Sequence, residues 1–362
     1  MNGNRGEILI SGAGPTGLSA AIFLHEKKVK PRIIEKLKER VPYSKAFGVN
    51  SNTLTLFESS GITERFLSNG RKMYCVNFWK NGKILVRNDF TKVKHKYPFM
   101  LIQSQSETET ILEEELKKRN ILVERQTELE SLTLKDQSIL VTIINKEGHR
   151  EQSAPEILFA AEGAHSQARK QLGIEFRGHR YEKEWELYDI ELDTQLAKDE
   201  GHIIAKDEGG LLLIRIRDSV WRLAGNIPNL IEHLPKGTSP GKIKWQSKFL
   251  ISHRIANHLQ KGNVFLGGDT AHVHSPLGAR GMNLGIEDAY VFAELYDKNR
   301  MKEYEALRRP LIRSVVARVN LITQIAAGDS AFSKWIRRIL PFLSIGAPII
   351  LPFARKFILG IR

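Results

Sequence analysis

The sequence predicts an α/β fold: a Rossmann-type unit carrying an inserted β-sheet unit and a helical C-terminal tail. Three observations carry that reading. The apolar run Glu7–Ser11 leads into Gly12-Ala13-Gly14-Pro15-Thr16-Gly17, a helix-spaced stretch and a second apolar run ending at Glu35. Far downstream, the run Asn263–Leu266 ends in Gly267-Gly268-Asp269, and a helix start follows near Gly281. Between the two, short runs alternate apolar and polar residues, which is the period of strands.

Composition sets the outer limits. The chain has 362 residues, 41% hydrophobic and 27% charged, enough for two or three domains with a full core. Its single cysteine, Cys75, excludes a disulfide scaffold and a CxxC site and fits a reducing compartment. The start MNGNRGEILISG reads as the approach to a buried strand and not as a signal peptide. The expected location is cytoplasmic.

The net charge is +14, and residues Arg300–Arg362 hold 12 Lys/Arg against 3 Asp/Glu, or +9 of it. No zinc-finger spacing or aromatic RNA platform accompanies this charge, so nucleic acid is not an expected partner. Ile339–Ala354 has no charge over 16 residues, which is short of the ~20 needed to span a bilayer. Pro341, Pro348 and Pro352 interrupt it further. A helical tail packed on the body is expected, with a monotopic contact peripheral to a membrane as the alternative.

The first segment has a physical reason for each residue. Gly12 permits a tight turn, Gly14 lets a pyrophosphate approach the backbone, and Gly17 lets the helix pack against the strand. Pro15 and Thr16 open that helix, whose free N–H groups and positive dipole end suit phosphates. Glu35, 23 positions after Gly12 and followed by Lys36, can accept bonds from ribose hydroxyls. An acid there favours NAD or FAD over NADP. Asp269 separates those two, since a carboxylate at that strand end suits a polyol chain. The helix start at Gly281-Met282-Asn283 suits the pyrimidine edge of an isoalloxazine, where charge gathers on reduction. FAD is therefore the expected cofactor.

With Pro276 between Gly268-Asp269 and Gly281-Met282-Asn283, the sequence resembles the FAD-dependent aromatic hydroxylases. These are single-component flavoprotein monooxygenases of the para-hydroxybenzoate hydroxylase type, and the likeness is to phenol- and polyketide-hydroxylating members. Their fold is a glutathione reductase-like FAD fold. Tyr43–Val49 and Leu101–Ser104 resemble two further family segments. The resemblance implies that Lys45 touches the ribityl–phosphate region and that Gln103 bonds the ribityl chain. Leu158–Gly173 resembles the family's box for FAD and nicotinamide binding, with Glu162 where the family has Asp. A strand–turn–helix cap, with Ser166 as N-cap and Arg169 in a surface pair, is the alternative for this box. Arg280 stands where the family usually carries Gln. It is expected either near the flavin, holding an anionic substrate or raising the potential, or in solvent.

The resulting division gives residues 1–72, 98–180 and 262–300 to the FAD-binding domain. Residues 73–97 and 181–261 go to a substrate-binding β-sheet domain, and 301–362 to the basic tail. Two strands meeting at Asp218-Ser219 and a Lys-rich hairpin over Asn81–Lys96 belong to the sheet. Arg215 and Arg217 are read as a solvated face, with substrate contact as the alternative.

The resemblance implies an enzyme that uses NADH or NADPH and dioxygen to hydroxylate an aromatic, polycyclic or quinone-type substrate through a flavin C4a-hydroperoxide. Such chemistry needs no catalytic dyad, and none is visible. Two other readings stay open. One is a membrane-associated flavin-dependent lipid or quinone hydroxylase or reductase. The other is a flavin-binding protein without turnover, motivated by Glu162 and Lys45. His272 and His274 lack a partner at ligand spacing, so no metal is expected and His272 is read as structural.

Overall fold

The computed structural model describes residues 6–41, 47–136, 138–327, 335 and 347–361. Its first sheet has six strands in the order Gln260–Lys261, Val264–Leu266, Ile157–Ala160, Ile8–Ser11, Arg32–Glu35, Val123–Arg125. All neighbours run parallel except the antiparallel edge strand Gln260–Lys261. Ile8–Ser11 and Ile157–Ala160 are buried at every position, as expected of central parallel strands covered on both faces. Helix Pro15–Glu26 packs on helices Gln105–Lys118 and Gly281–Asp297. A three-stranded meander, Glu128–Lys135, Ser138–Ile144 and Arg150–Ser153, joins the same core through Leu129, Leu132 and Val141.

The second large sheet has eight strands. Its backbone is a pair of 18-residue strands, Phe176–Asp193 and Ser239–Ala256, paired antiparallel. Val220–Gly225, Gly210–Arg217, Glu200–Ala205, Cys75–Lys80 and Lys83–Asp89 follow on one side, and His272–Val273 lies on the other. Leu211, Leu213, Trp221 and Leu223 build a core of their own. Val76 and Ile214 pack instead with Met100, Ile102 and Leu359, tying the sheet to the rest of the molecule. The hairpin expected at Asp218-Ser219 forms, whereas the one expected over Asn81–Lys96 starts earlier, pairing Cys75–Lys80 with Lys83–Asp89 before a 3-10 turn at Phe90–Lys92. Asn81 and Gly82 have φ of 51° and 75°, the left-handed pair of a tight two-residue turn, and Asp218 turns the other at φ 42°.

The tail is helical where described. Helix Tyr304–Ala327 packs on Gly281–Asp297, and helix Ala347–Leu359 inserts Leu359 into the core. Residues 339–346 of the uncharged stretch lie outside the described residues. No described helix is long and apolar enough to cross a membrane.

Candidate functional site

A cavity of about 700 Å³ runs along the ends of the parallel strands and under the eight-stranded sheet. At one end it is lined by Gly12, Gly14, Pro15, Thr16, Glu35 and Lys36. Gly12 has φ +102°, and a Cβ there would lie 2.3 Å from the Ala161 carbonyl oxygen. A Cβ on Gly17 would lie 1.9 Å from the Gly12 oxygen, so the helix sits directly against the turn. Around Gly14 the space is open: a Cβ there would meet nothing within 4 Å. Its φ is an ordinary −73°, so the vacancy in front of it, not backbone strain, is what its missing side chain leaves. Glu35 accepts from Ala13 N at 2.8 Å and Leu37 N at 2.9 Å, which aims its carboxylate at the cavity rim with lone pairs to spare.

Asp269, Pro276, Gly281 and Met282 line the other end. Asp269 is open to the cavity yet walled in by protein, and that desolvation raises its pKa against the lowering pull of His272. The ladder of helix Gly281–Asp297 begins with Leu284 N donating to Arg280 O, and no side chain caps the first turn. The N–H groups of Gly281, Met282 and Asn283 therefore lie outside it, at the positive end of a 17-residue helix. His274 also faces the cavity. Burial pushes its pKa down to about 3, and its Nε2 has no partner among the described residues. Phe249, Ile251 and Val273 bring apolar surface from the sheet above.

Thr16 joins the two ends. It is wedged between Gly268 and Gly285, where a Cβ on either would lie 2.3 Å from its Oγ1. Behind the Gly268 turn lies a buried charged cluster. Asp288 accepts from Gly268 N at 2.9 Å and lies 2.6 Å from His272 Nε2. Arg308 donates to the other oxygen of Asp288 at 2.7 Å, and Glu287 sits 3.6 Å from Arg308. Burial alone would raise the Asp288 pKa; Arg308, His272 and the Gly268 N–H outweigh it and hold the carboxyl low.

Several expectations need correction. Gln103 does not line the cavity. It is buried on strand Met100–Ser104 and donates to Thr108 Oγ1 at 3.0 Å, while Gln105, at the start of the next helix, lines the cavity instead. Gly17 is a packing residue behind the lining. The Asn283 side chain also lies behind it, fully committed. It accepts from Asn50 N and Thr53 Oγ1 at 2.9 and 2.7 Å and donates to Gly48 O and Ala279 O at 3.0 and 2.7 Å. Lys45 lies outside the described residues. Arg280 faces neither solvent nor the cavity: it is buried, 3.3 Å from Glu287 and stacked on Phe357. Arg169 is not a surface residue. It is buried, donates to Thr270 O and Ala164 O, and stacks on Phe176. Ser166 does cap its helix, accepting from Arg169 N at 3.1 Å. Arg217 is exposed and lies 3.6 Å from Glu107; neither it nor Arg215 lines the cavity.

Glu162 lines the cavity as a clamp. It accepts from Ser11 Oγ at 2.8 Å, Ser166 Oγ at 2.5 Å and Ala168 N at 2.9 Å, holding the first strand to the following helix. Sequence reasoning missed Arg40 and Arg125, which line the Glu35 end and both pair with Glu113 at 2.6 Å. The basic run after Glu35 was the available signal for Arg40. No cluster of metal-ligating side chains occurs among the described residues.

The geometry fits FAD at three points: the open space before Gly14, the carboxylates at Glu35 and Asp269, and the helix end at Gly281. A family model described as "FAD binding domain" matches residues 5–223 and 226–319. The chain is 27% identical to 6-methylpretetramide 4-monooxygenase of Streptomyces rimosus, over 98% of this chain and 66% of that protein. It is 29% identical to pentachlorophenol 4-monooxygenase of Sphingobium chlorophenolicum, over 78% and 56%. The chain thus spans about 56–66% of the length of these two relatives. In fold it resembles p-nitrophenol 4-monooxygenase of Pseudomonas putida, with a TM-score of 0.86, 18% identity and coverage of 98% and 97%. The chain belongs to the FAD-dependent aromatic hydroxylase family of flavoprotein monooxygenases.

Proposed function

We propose that the chain binds FAD in the main cavity and acts as an NAD(P)H-dependent monooxygenase on an aromatic, polycyclic or quinone-type ring. One observation carries this reading. A single cavity connects a ribose-type acid and a phosphate-type glycine turn to an uncapped helix end beneath an apolar sheet face. When bound, FAD supplies the redox chemistry, taking two electrons from NAD(P)H and activating dioxygen at its C4a position.

The chain's own residues position and shield. Glu35 offers lone pairs to ribose hydroxyls, and the backbone at Gly14 with the Pro15–Glu26 helix end suits a pyrophosphate. Asp269 suits a ribityl hydroxyl. The first-turn N–H groups of Gly281–Asn283 favour negative charge on a neighbouring ring edge. Phe249, Ile251 and Val273 keep water from the reacting ring. The relatives' names, a pretetramide and a chlorinated phenol, support a ring substrate. Reconstitution with FAD should give a yellow protein, and a panel of phenols and polycyclic quinones should include one that accelerates NADH or NADPH oxidation and gains one oxygen atom by mass. A flavoprotein that oxygenates no ring compound with either reductant overturns the monooxygenase reading and leaves FAD binding standing.

A second reading, peripheral contact with a membrane, rests on Ile349, Ile350 and Phe353, which are 75%, 63% and 74% exposed beside basic Lys356. Flotation with anionic liposomes tests it. Equal flotation of the protein and its Ile349→Ser/Phe353→Ser variant removes it.

A further inference from the structure

A second cavity, of about 470 Å³, shares no lining residue with the first. It lies where the start of strand Phe176–Asp193, the end of strand Ser239–Ala256 and helix Tyr304–Ala327 meet. Four arginines line it, Arg177, Arg254, Arg309 and Arg313, and no carboxylate does. Arg309 and Arg313 stand four residues apart, on one face of their helix.

The nearest carboxylates are already engaged. Glu175 accepts from Arg177 Nε at 2.6 Å. Glu305 accepts from Arg309 Nη1 and from Leu259 N, each at 3.2 Å. Arg254 and Arg313 have no ion pair among the described residues. Arg254 also lies close enough to Arg169 to add, after burial, to the lowering of that group's pKa. Two of the four guanidinium charges, those of Arg254 and Arg313, thus gather beside two paired ones without a carboxylate of their own, which raises their energy.

Independent of charge, the cleft holds unmet hydrogen-bonding capacity. Arg254 Nε, Arg309 Nε, Asn257 Oδ1 and both ring nitrogens of His253 are buried with no partner among the described residues. Buried polar groups ordinarily find one. His253 is 4% exposed, and burial together with His179 pushes its pKa down to about 4, so at neutral pH it offers an N–H without adding charge.

We propose that this cleft is a binding site for a small phosphate-bearing anion. Guanidinium groups match phosphate oxygens in paired hydrogen bonds, which lysines do not, and this lining holds four arginines and no lysine. The volume is that of a small-molecule site. Such a ligand supplies counter-charge to Arg254 and Arg313 and acceptors to the donors left unmet, Arg254 Nε, Arg309 Nε and the one N–H of neutral His253. Strand Ser239–Ala256 contributes Phe249–Ser252 to the main cavity and His253–Ala256 to this one, so the two sites share a wall without sharing a residue. The proposal does not depend on what the main cavity binds.

Calorimetric titration of the full chain with pyrophosphate and with adenosine 2′,5′-bisphosphate, at fixed ionic strength, tests it. The two probes separate a bare phosphate from a nucleotide-borne one. Saturable binding of at least one is expected, weakened about tenfold or more by Arg313→Gln. Arg254→Gln should act in the same direction, and Arg217→Gln, an exposed arginine elsewhere, should leave affinity unchanged. Arg313 is exposed, so its variant keeps the test alive if Arg254→Gln fails to fold. Absence of saturable binding by both probes overturns the proposal. Binding that Arg313→Gln leaves intact overturns it equally, because the anion then sits elsewhere.

Discussion

At the Glu35 end of the main cavity the glycine turn and its acid lie within one short unit that distant residues such as Ala161 and Glu162 only back, whereas at the Met282 end the groups that hold the turn and helix start come from separate elements. Gly12, Gly14, Gly17 and Glu35 form one strand–turn–helix–strand unit, and their contacts are chiefly backbone. At the other end, Asp288 holds the Gly268 turn from 20 residues away and is itself held by Arg308 of another helix. Asn283 reaches back more than 200 residues to Asn50 and Thr53. One end is shaped by where side chains are missing. The other depends on buried polar groups that must all be satisfied together.

The sharpest break in this comparison should come from Asp288→Ala. It leaves the Arg308 guanidinium buried without its carboxylate and frees the Gly268 N–H, a loss of about 3–5 kcal/mol by urea denaturation. Asn283→Ala should cost about 2–3 kcal/mol, because it strips partners from Asn50 N and Gly48 O in a buried seam. If either variant is neutral, the Met282 end is not held by these groups. Gly17→Ala should cost about 1–3 kcal/mol through collision with the Gly12 carbonyl. Gly14→Ala should change stability by less than about 0.5 kcal/mol, since open space faces it. Two glycines three residues apart thus separate packing from ligand approach.

Acid sensitivity should map to the sheet side. His253 and His274 are held neutral by burial, at about 4 and about 3 against an ordinary 6.5. Below pH 6.5 the unfolded chain takes up protons that the fold refuses. Stability therefore falls from about pH 6.5 towards pH 3–4 and is insensitive to these groups below that. The loss by pH 5 should be about 2 kcal/mol from each group, about 3–4 kcal/mol together, read as a shift of the urea midpoint. His253→Gln should flatten that limb; an unchanged slope would contradict the assignment.

The same contrast explains what the sequence made legible. The glycine turn, the acid after the second strand and the helix start at Gly281 are set by short-range backbone geometry, so spacing alone located them. The hairpin turn at Asp218 was readable for the same reason, whereas the hairpin read over Asn81–Lys96 was set too late, because Asn81-Gly82 is its turn and not its start. Arg280 was misplaced because proximity in sequence to Met282 says nothing about direction, and Glu287, seven residues on, draws it to the buried side of the helix. Gln103 was misplaced by the alternation of its strand, which sends it toward Thr108. The Asp288–Arg308 pair left no signal, since neither residue type is unusual on a helix and only tertiary packing brings the two helices together.

The central claim is that a flavin's pyrophosphate lies before Gly14 while its ring meets the helix end at Gly281. Titration of the apo protein with FAD, followed by visible absorbance and set beside the Gly14→Ala variant, tests it most directly. The expected result is saturable binding with a flavoprotein spectrum. Affinity should drop roughly tenfold or more in the variant at unchanged melting temperature. Equal affinity in the two proteins, or no FAD binding by a folded wild type, would contradict it.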